Sequence, residues 1–356
     1  MRALRYYGPR DLRLEHDIRE PDCLPHQVKI RPSFCGICGS DLHAYLSEQA
    51  IPLKDTPHPI TGETWPVTLG HEFSGDIVHV GSEVQNGLAV GDRAAVQPTI
   101  CCEKCPSCKQ GSTNCCDLFG FIGITGWGGG LSDYVCVDAR FVYKLPASIP
   151  SDVGALIEPL AVAWHAVEQA SVKPGDDVLV MGAGPIGLAV IQCLSARQAG
   201  QIIVVEVAQG RKEFARQTGA TTVIDPQEED VVSRCKSLCD GQGPEVALDC
   251  AGVPSSINAA CLAVRKKGLI INVALWDKPA PIEMMTIVFG EKRLSAALSY
   301  NASDFQAVIE ALESGQLNVE GMITNRIKMD EVVDKGFEAL LTSRERTIKV
   351  LVDTRA

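Results

Sequence analysis

Residues 178–188 read Val-Leu-Val-Met-Gly-Ala-Gly-Pro-Ile-Gly-Leu. An apolar strand, Asp177 to Met181, runs into Gly182, Gly184 and Gly187, then into a helical stretch to Ala199 whose only charge is Arg197. A strand that enters a helix through so tight a turn belongs to a parallel pairing, because a parallel neighbour is reached only by a crossover. The following residues repeat the alternation. Ile202–Glu206, Thr222–Ile224, Val246–Cys250 and Leu269–Val273 read as strands, with helical segments at Gly210–Thr218, near Glu228–Cys239 and at Ser255–Val264. Strands this apolar, separated by helices, predict a parallel sheet covered on both faces. Val178–Ala196 is also the longest uncharged apolar stretch, and length alone would allow a membrane span. Its three glycines and Pro185 suit a turn better.

The glycine spacing has a chemical reason. Gly182 permits the tight turn, Gly184 lets a pyrophosphate approach the backbone, and Gly187 lets the helix pack close to the strand. With Pro185 and Ile186 they open a helix whose first amides face an anion. The competing reading is a glycine-rich turn at a buried strand–helix junction. Glu206 ends the next strand, where a carboxylate accepts the adenosine ribose hydroxyls and repels a 2′-phosphate, so NAD is expected over NADP. Arg211 and Lys212 follow, either as holders of a phosphate or as a solvated first turn.

The first 150 residues differ in kind. Val28–Ile30, Gly75–Val80, Arg93–Val96 and Tyr134–Val137 are short apolar runs between Gly and Pro, which predicts an irregular, mainly β domain. Pro52, Pro57, Pro59 and Pro66 mark a long loop between Ala50 and Val67. Near the other end, Ser303–Ser314 and Asp330–Thr342 read as amphipathic helices and Thr347–Val352 as a strand. At about 150 residues per domain, 356 residues suggest two domains.

Net charge is −11. Such a chain repels phosphate backbones and anionic lipid, so neither nucleic acid nor membrane is an expected partner. Met1–Glu15 has no continuous apolar core of a signal peptide, which points to a cytoplasmic protein. The fifteen cysteines are then not a secreted disulfide framework. Six of them crowd between Cys101 and Cys116. Cys102, Cys105, Cys108 and Cys116 have the spacing C-x2-C-x2-C-x7-C, which wraps one tetrahedral zinc at about 2.3 Å per bond and leaves no open position. Cys101 and Cys115 leave the register ambiguous by one residue, and an iron–sulfur cluster is the rival occupant.

Three further segments carry metal-binding side chains: Cys35-Gly-Ile-Cys38-Gly-Ser40-Asp41-Leu-His43, Gly70-His71-Glu72 and Glu158-Pro159. Thiolate, imidazole and carboxylate together suit a catalytic zinc. Taken singly, each has a plain structural use as a core histidine, a helix-entry carboxylate or a buried thiol.

In their order along the chain, Gly36–His43, Gly70-His71-Glu72, the cysteine cluster, Glu158-Pro159-Leu160 and Gly182–Gly187 resemble the zinc-dependent medium-chain dehydrogenase/reductase family over essentially the whole length. Within it, Glu158–Ala166 and the Pro-rich loop before Gly70 are most like (R,R)-butanediol dehydrogenases, with sorbitol and threonine dehydrogenases as close relatives. The resemblance implies an α/β chain. A GroES-like β-rich catalytic domain would span 1–155 and 300–356, with a structural zinc lobe at about 101–116. A Rossmann domain, a doubly wound parallel sheet, would span 156–299. It implies two zinc ions per chain and NAD. Cys38, His71 and Glu72 would hold the catalytic zinc, with Glu158 binding it directly or standing close by, and Cys35 would be a buried bystander. Relatives specific for simple alcohols have cysteine where Glu158 stands, so the carboxylate aligns this chain with the diol and polyol branch.

The implied reaction is reversible oxidation of a secondary alcohol to a ketone, with a vicinal diol such as butane-2,3-diol giving acetoin. Sorbitol-like polyols and threonine are the alternatives. The hydroxyl proton would leave from Ser40 by way of the cofactor ribose to His43. Trp127, Tyr45, Trp276 and the 50–66 loop are candidate pocket walls. A homodimer or homotetramer is expected, with Leu294–Leu298 as a sheet edge open to a second copy. A non-catalytic scaffold or a zinc-independent quinone reductase would be expected to lack Cys38, Ser40, His71 and Glu72.

Overall fold

The apolar strands of the middle region pair in parallel throughout. Their order is Thr222–Ile224, Ile202–Val205, Val178–Met181, Val246–Asp249, Leu269–Asn272 and Arg293–Ala296. The computed structural model in which this sheet is seen describes residues 1–47, 54–276, 279–343, 345 and 347–356. The chain leaves the central strand Val178–Met181 in one direction and later returns beside it to run in the other. The strand ends at Met181 and Asp249 therefore flank the point where the winding reverses, the usual crevice for a ligand in such sheets. Leu179, Val180, Ile203, Val204, Ala247, Leu248 and Ile270 are fully buried, as expected where helices cover both faces.

Two compact units divide the chain. The second comprises Pro159–Tyr300 and Ser314–Met322. Its last segment lies in a stretch that the sequence places with the first domain. It joins this unit because Leu317, Val319 and Met322 are buried and the Asn318 carbonyl accepts from Gln192 Nε2 at 2.6 Å.

The first unit comprises Met1–Glu158, Asn301–Glu313 and Ile323–Ala356. Its main sheet runs in the order Val142–Lys144, Arg93–Val96, Glu72–Val80, Gln27–Gly36, Lys349–Asp353 and Ile323–Lys328, with Val135–Asp138 also paired to Gln27–Gly36. The near-terminal strand Lys349–Asp353 lies antiparallel to Gln27–Gly36, so residues far apart in the chain share one layer. A hairpin, Ala3–Gly8 with Asp11–Glu15, adds a small second sheet.

Residues 330–342, expected as one amphipathic α-helix, instead form a 3-10 turn, a π-helical stretch Val332–Glu338 and a short α-turn Ala339–Thr342. The wider turn accompanies burial of Val332, Gly336 and Phe337. Gly336 is packed so closely that a Cβ there would lie 2.5 Å from Ile37 Cδ1, just after the strand Gln27–Gly36. Among the described residues no helix is long and apolar enough to cross a membrane. Residues 48–53 of the Pro-rich loop lie outside the described residues.

Candidate functional site

Gln27–Gly36 ends at a turn, and Cys38 then caps the helix Gly39–Leu46. Asp41, at the third position of that helix, accepts from the Cys38 backbone N–H at 2.9 Å through Oδ2. This capping contact holds the turn that presents the thiol. The other Asp41 oxygen stands 3.4 Å from His71 Nδ1. A carboxylate facing Nδ1 favours a proton there, so Nε2 is the nitrogen that a metal would take once the ring has lost its second proton. Ser40 Oγ lies 3.2 Å from that Nε2. Burial works against a charged His71 ring, but Asp41 and then Cys38 outweigh it and raise its pKa well above the ordinary range.

Glu72 begins the strand Glu72–Val80 and faces Gly36 across the register. Cys38, His71 and Glu72 each offer a ligand atom within 4.8 Å of the other two. Soft sulfur, imidazole nitrogen and carboxylate oxygen so close together fit a zinc ion. Glu158, in the first turn of the helix Ile157–Ala170, is buried and is not a member of that converging group. His43 stands one turn beyond Ser40 in the same helix, exposed, and residues three apart share a helix face. Cys35 is fully buried. Burial, then Asp41 and Glu72, push its thiol well up, which makes it a poor ligand.

Two site residues escaped the sequence reading. Asp41 is one. The other is Lys349, 2% exposed, whose ammonium donates to Glu72 Oε1 at 2.8 Å and Oε2 at 2.7 Å. Burial pushes the ammonium towards neutrality, yet Glu72, Cys38 and Glu158 together hold its pKa above the usual lysine range. Removing one partner of such a buried pair costs on the order of 3–5 kcal/mol. The sequence signal was available, since a lone lysine in the strand Lys-Val-Leu-Val must find a counter-charge. Tyr45 is buried, packs on Phe337 and donates to Glu338 Oε1 at 2.7 Å.

The sulfurs of Cys102, Cys105, Cys108 and Cys116 converge within 4.8 Å, and Cys101 and Cys115 are not part of the group. Backbone N–H groups of Lys104 and Cys105 point at Cys102 Sγ, and those of Cys102 and Leu118 at Cys116 Sγ. The Lys104 and Cys105 amides bring the Cys102 thiol down to about 6. Burial pushes the Cys108 and Cys116 thiols the other way, but four converging sulfurs with no other donor type among them fit a closed cation site.

In the second unit the three glycines have separate physical reasons. Gly182 adopts φ +92°, a left-handed conformation, beside Ala251. A Cβ at Gly187 would lie 2.0 Å from the Gly182 carbonyl oxygen. Around Gly184 the nearest atom to such a Cβ is Arg211 Nη1 at 3.8 Å, which leaves the turn open to a ligand. Pro185 and Ile186 begin the helix Pro185–Ala196. Glu206 is buried and binds this turn, since Oε2 accepts from Ala183 N–H at 2.8 Å while Oε1 accepts from Val207 and Ala208. Lys212, considered as a phosphate holder or a solvated residue, is neither. It is buried against Asp225, which leaves Arg211 as the cation at the turn.

Comparison with known proteins gives a consistent picture. A zinc-binding dehydrogenase model matches residues 185–314, and an alcohol dehydrogenase GroES-like domain model matches residues 24–147. The chain is 39% identical to an (R,R)-butanediol dehydrogenase of Bacillus subtilis (strain 168) over 99% of each sequence. It is 35% identical to a probable diacetyl reductase [(R)-acetoin forming] of Saccharomyces cerevisiae over 99% of this chain and 90% of that one. The crystal structure of 2R,3R-butanediol dehydrogenase from Bacillus subtilis superposes with a TM-score of 0.93 over 99% of each chain, at 39% identity.

Proposed function

The chain belongs to the zinc-binding dehydrogenase family and carries its GroES-like domain, and from that premise we propose that it oxidises a secondary alcohol with NAD, reversibly. The leading substrate is a vicinal diol, butane-2,3-diol, with acetoin as product. The observation that carries the reading is the convergence of Cys38, His71 and Glu72 beside Ser40. Likeness to butanediol dehydrogenases and to an acetoin-forming reductase supports the diol.

Cys38, His71 and Glu72 would hold the catalytic zinc, which when bound supplies the Lewis acidity that lowers a hydroxyl pKa. NAD, when bound, supplies the hydride acceptor. Asp41 orients His71 and holds the Cys38 turn. Ser40 Oγ takes the hydroxyl proton as it gives up its own towards His43, which, exposed one turn on, releases a proton to solvent. Glu158 is a charged neighbour that acts on Lys349 and stands outside the ligand group. Cys102, Cys105, Cys108 and Cys116 would hold a second, structural zinc, which family membership favours over iron–sulfur. Gly182, Gly184, Pro185, Ile186 and Gly187 would receive the pyrophosphate, with Arg211 beside it. Glu206 would bind the ribose and disfavour a 2′-phosphate.

A homodimer through the sheet edge Arg293–Ala296 is part of the same reading. That strand is exposed along its length, with Val288, Phe289, Leu294 and Leu298 exposed nearby. A reducing, cytoplasmic setting suits cysteines that are all free thiols.

Elemental analysis and an NAD-reduction screen over purified butane-2,3-diol stereoisomers, sorbitol, xylitol and threonine test the proposal. Two zinc per chain, turnover fastest on a butanediol isomer, and a higher kcat/KM with NAD than NADP are expected. Turnover of sorbitol without butanediol would move the enzyme to the polyols. Absence of both zinc and NAD reduction would overturn the reading.

A further inference from the structure

Lys349 is an interior residue of a β-sheet with neighbours, Val350, Leu351 and Val352, that are fully buried. Its ammonium reaches three acceptors: the two Glu72 oxygens at 2.8 and 2.7 Å and the Ile37 carbonyl at 3.3 Å. On its other side the Glu72 carboxylate fills the space at Gly36, where a Cβ would lie 2.1 Å from Oε2. The carboxylate is thus clamped between a lysine and a missing side chain.

Resting on the zinc reading above, we infer that Lys349 is a positioning residue for the catalytic metal: it tethers Glu72 where the Cys38 and His71 ligand atoms converge, and so slows loss of the ion. Both Glu72 oxygens keep lone pairs beyond those that meet the ammonium, so the tether and a metal can share the carboxylate. Charge alone predicts the opposite effect, because removing a nearby cation strengthens binding of another cation. The sign of the effect therefore separates a tether from a mere counter-charge.

The test follows zinc release from the purified holoprotein to a colorimetric chelator, with the four-cysteine zinc as internal reference. Lys349→Met should release one zinc about 10- to 100-fold faster and the other at the wild-type rate. Release of the first zinc at or below the wild-type rate would overturn the inference. If Lys349→Met fails to fold, the comparison of Glu72→Gln with Glu72→Gln/Lys349→Met decides. Equal release rates are expected, because Lys349 acts through Glu72; faster release from the double variant would overturn the inference, and so would slower release, which is the sign of a mere counter-charge. A wild-type chain holding one zinc would instead sink the zinc reading itself, and this inference with it.

Discussion

Ser40 and His71 meet at 3.2 Å, and this contact gives the serine a chemical position that its neighbours in the helix lack. A hydroxyl beside the imidazole nitrogen that faces the ligand cluster is placed to exchange a proton at the reacting oxygen. Ser40→Ala should lower kcat by about 10²- to 10⁴-fold while NADH binding, read by fluorescence titration, stays as in the wild type. Turnover near normal would remove Ser40 from the chemistry. His43→Ala, in the same experiment, should reshape the pH–rate profile with a smaller loss at its optimum, and an unchanged profile counts against its role. Asp41 shows why single residues were hard to weigh beforehand. From the sequence it is one more polar residue in Gly-Ser-Asp-Leu-His. In the fold it is fully buried, caps Cys38 and faces His71, because one helix turn and one strand start happen to share a corner.

The strand–turn–helix at 178–196 packs through its glycines, and one substitution probes this directly. Gly187→Ala would place a methyl 2.0 Å from a backbone oxygen, an atom that cannot rotate away. Overpacking of this sort costs about 1–3 kcal/mol, so the melting temperature should fall and NADH binding weaken together. Unaltered NADH affinity would show that the turn does not shape the cofactor site. The neighbouring helix Gln209–Thr218 is tied to the sheet by Lys212 and Asp225. Lys212, with the Gln227 amide, holds the Asp225 carboxyl below the usual carboxylate range. A lowered native pKa stabilises the fold above the unfolded value, near pH 4, and that contribution is lost as pH falls through the native value. The melting-temperature gap between wild type and Asp225→Asn should therefore be level from pH 7 to about 5 and close towards pH 2. A gap that persists at the acid end would refute the assignment. These local units were the most readable part of the chain. Their apolar period, glycines and charges act over a few residues, and the observed strand limits lie within a residue or two of those expected. The π-helical stretch Val332–Glu338 was not readable, because an apolar period near 3.6 suits an α-helix as well and the wider turn accompanies burial against residues distant in the chain.

In the second unit the parallel sheet ends in an exposed edge, Arg293–Ala296, beside Val288 and Phe289, the latter 78% exposed. An unpaired edge with apolar side chains is a liability unless something covers it. If a second copy does, Phe289→Glu should shift sedimentation from dimer or larger to monomer and leave both zinc ions in place. An unshifted assembly would locate the interface elsewhere. Beyond this edge, the chain's own order of residues was enough to read the α/β class, the glycine turn between strand and helix, and the cysteine cluster, since each depends on spacing within a short segment. Family resemblance, not spacing, was needed to join Cys38 with His71 and Glu72. The Glu72–Lys349 pair, 277 positions apart, came into view only when strands from both ends of the first unit were laid in one sheet. The reason is register. Neighbouring side chains alternate between faces, and a slip of one residue would turn Lys349 away from Glu72. Local periodicity announces that a strand will form, whereas the partner it meets depends on the packing of the whole unit.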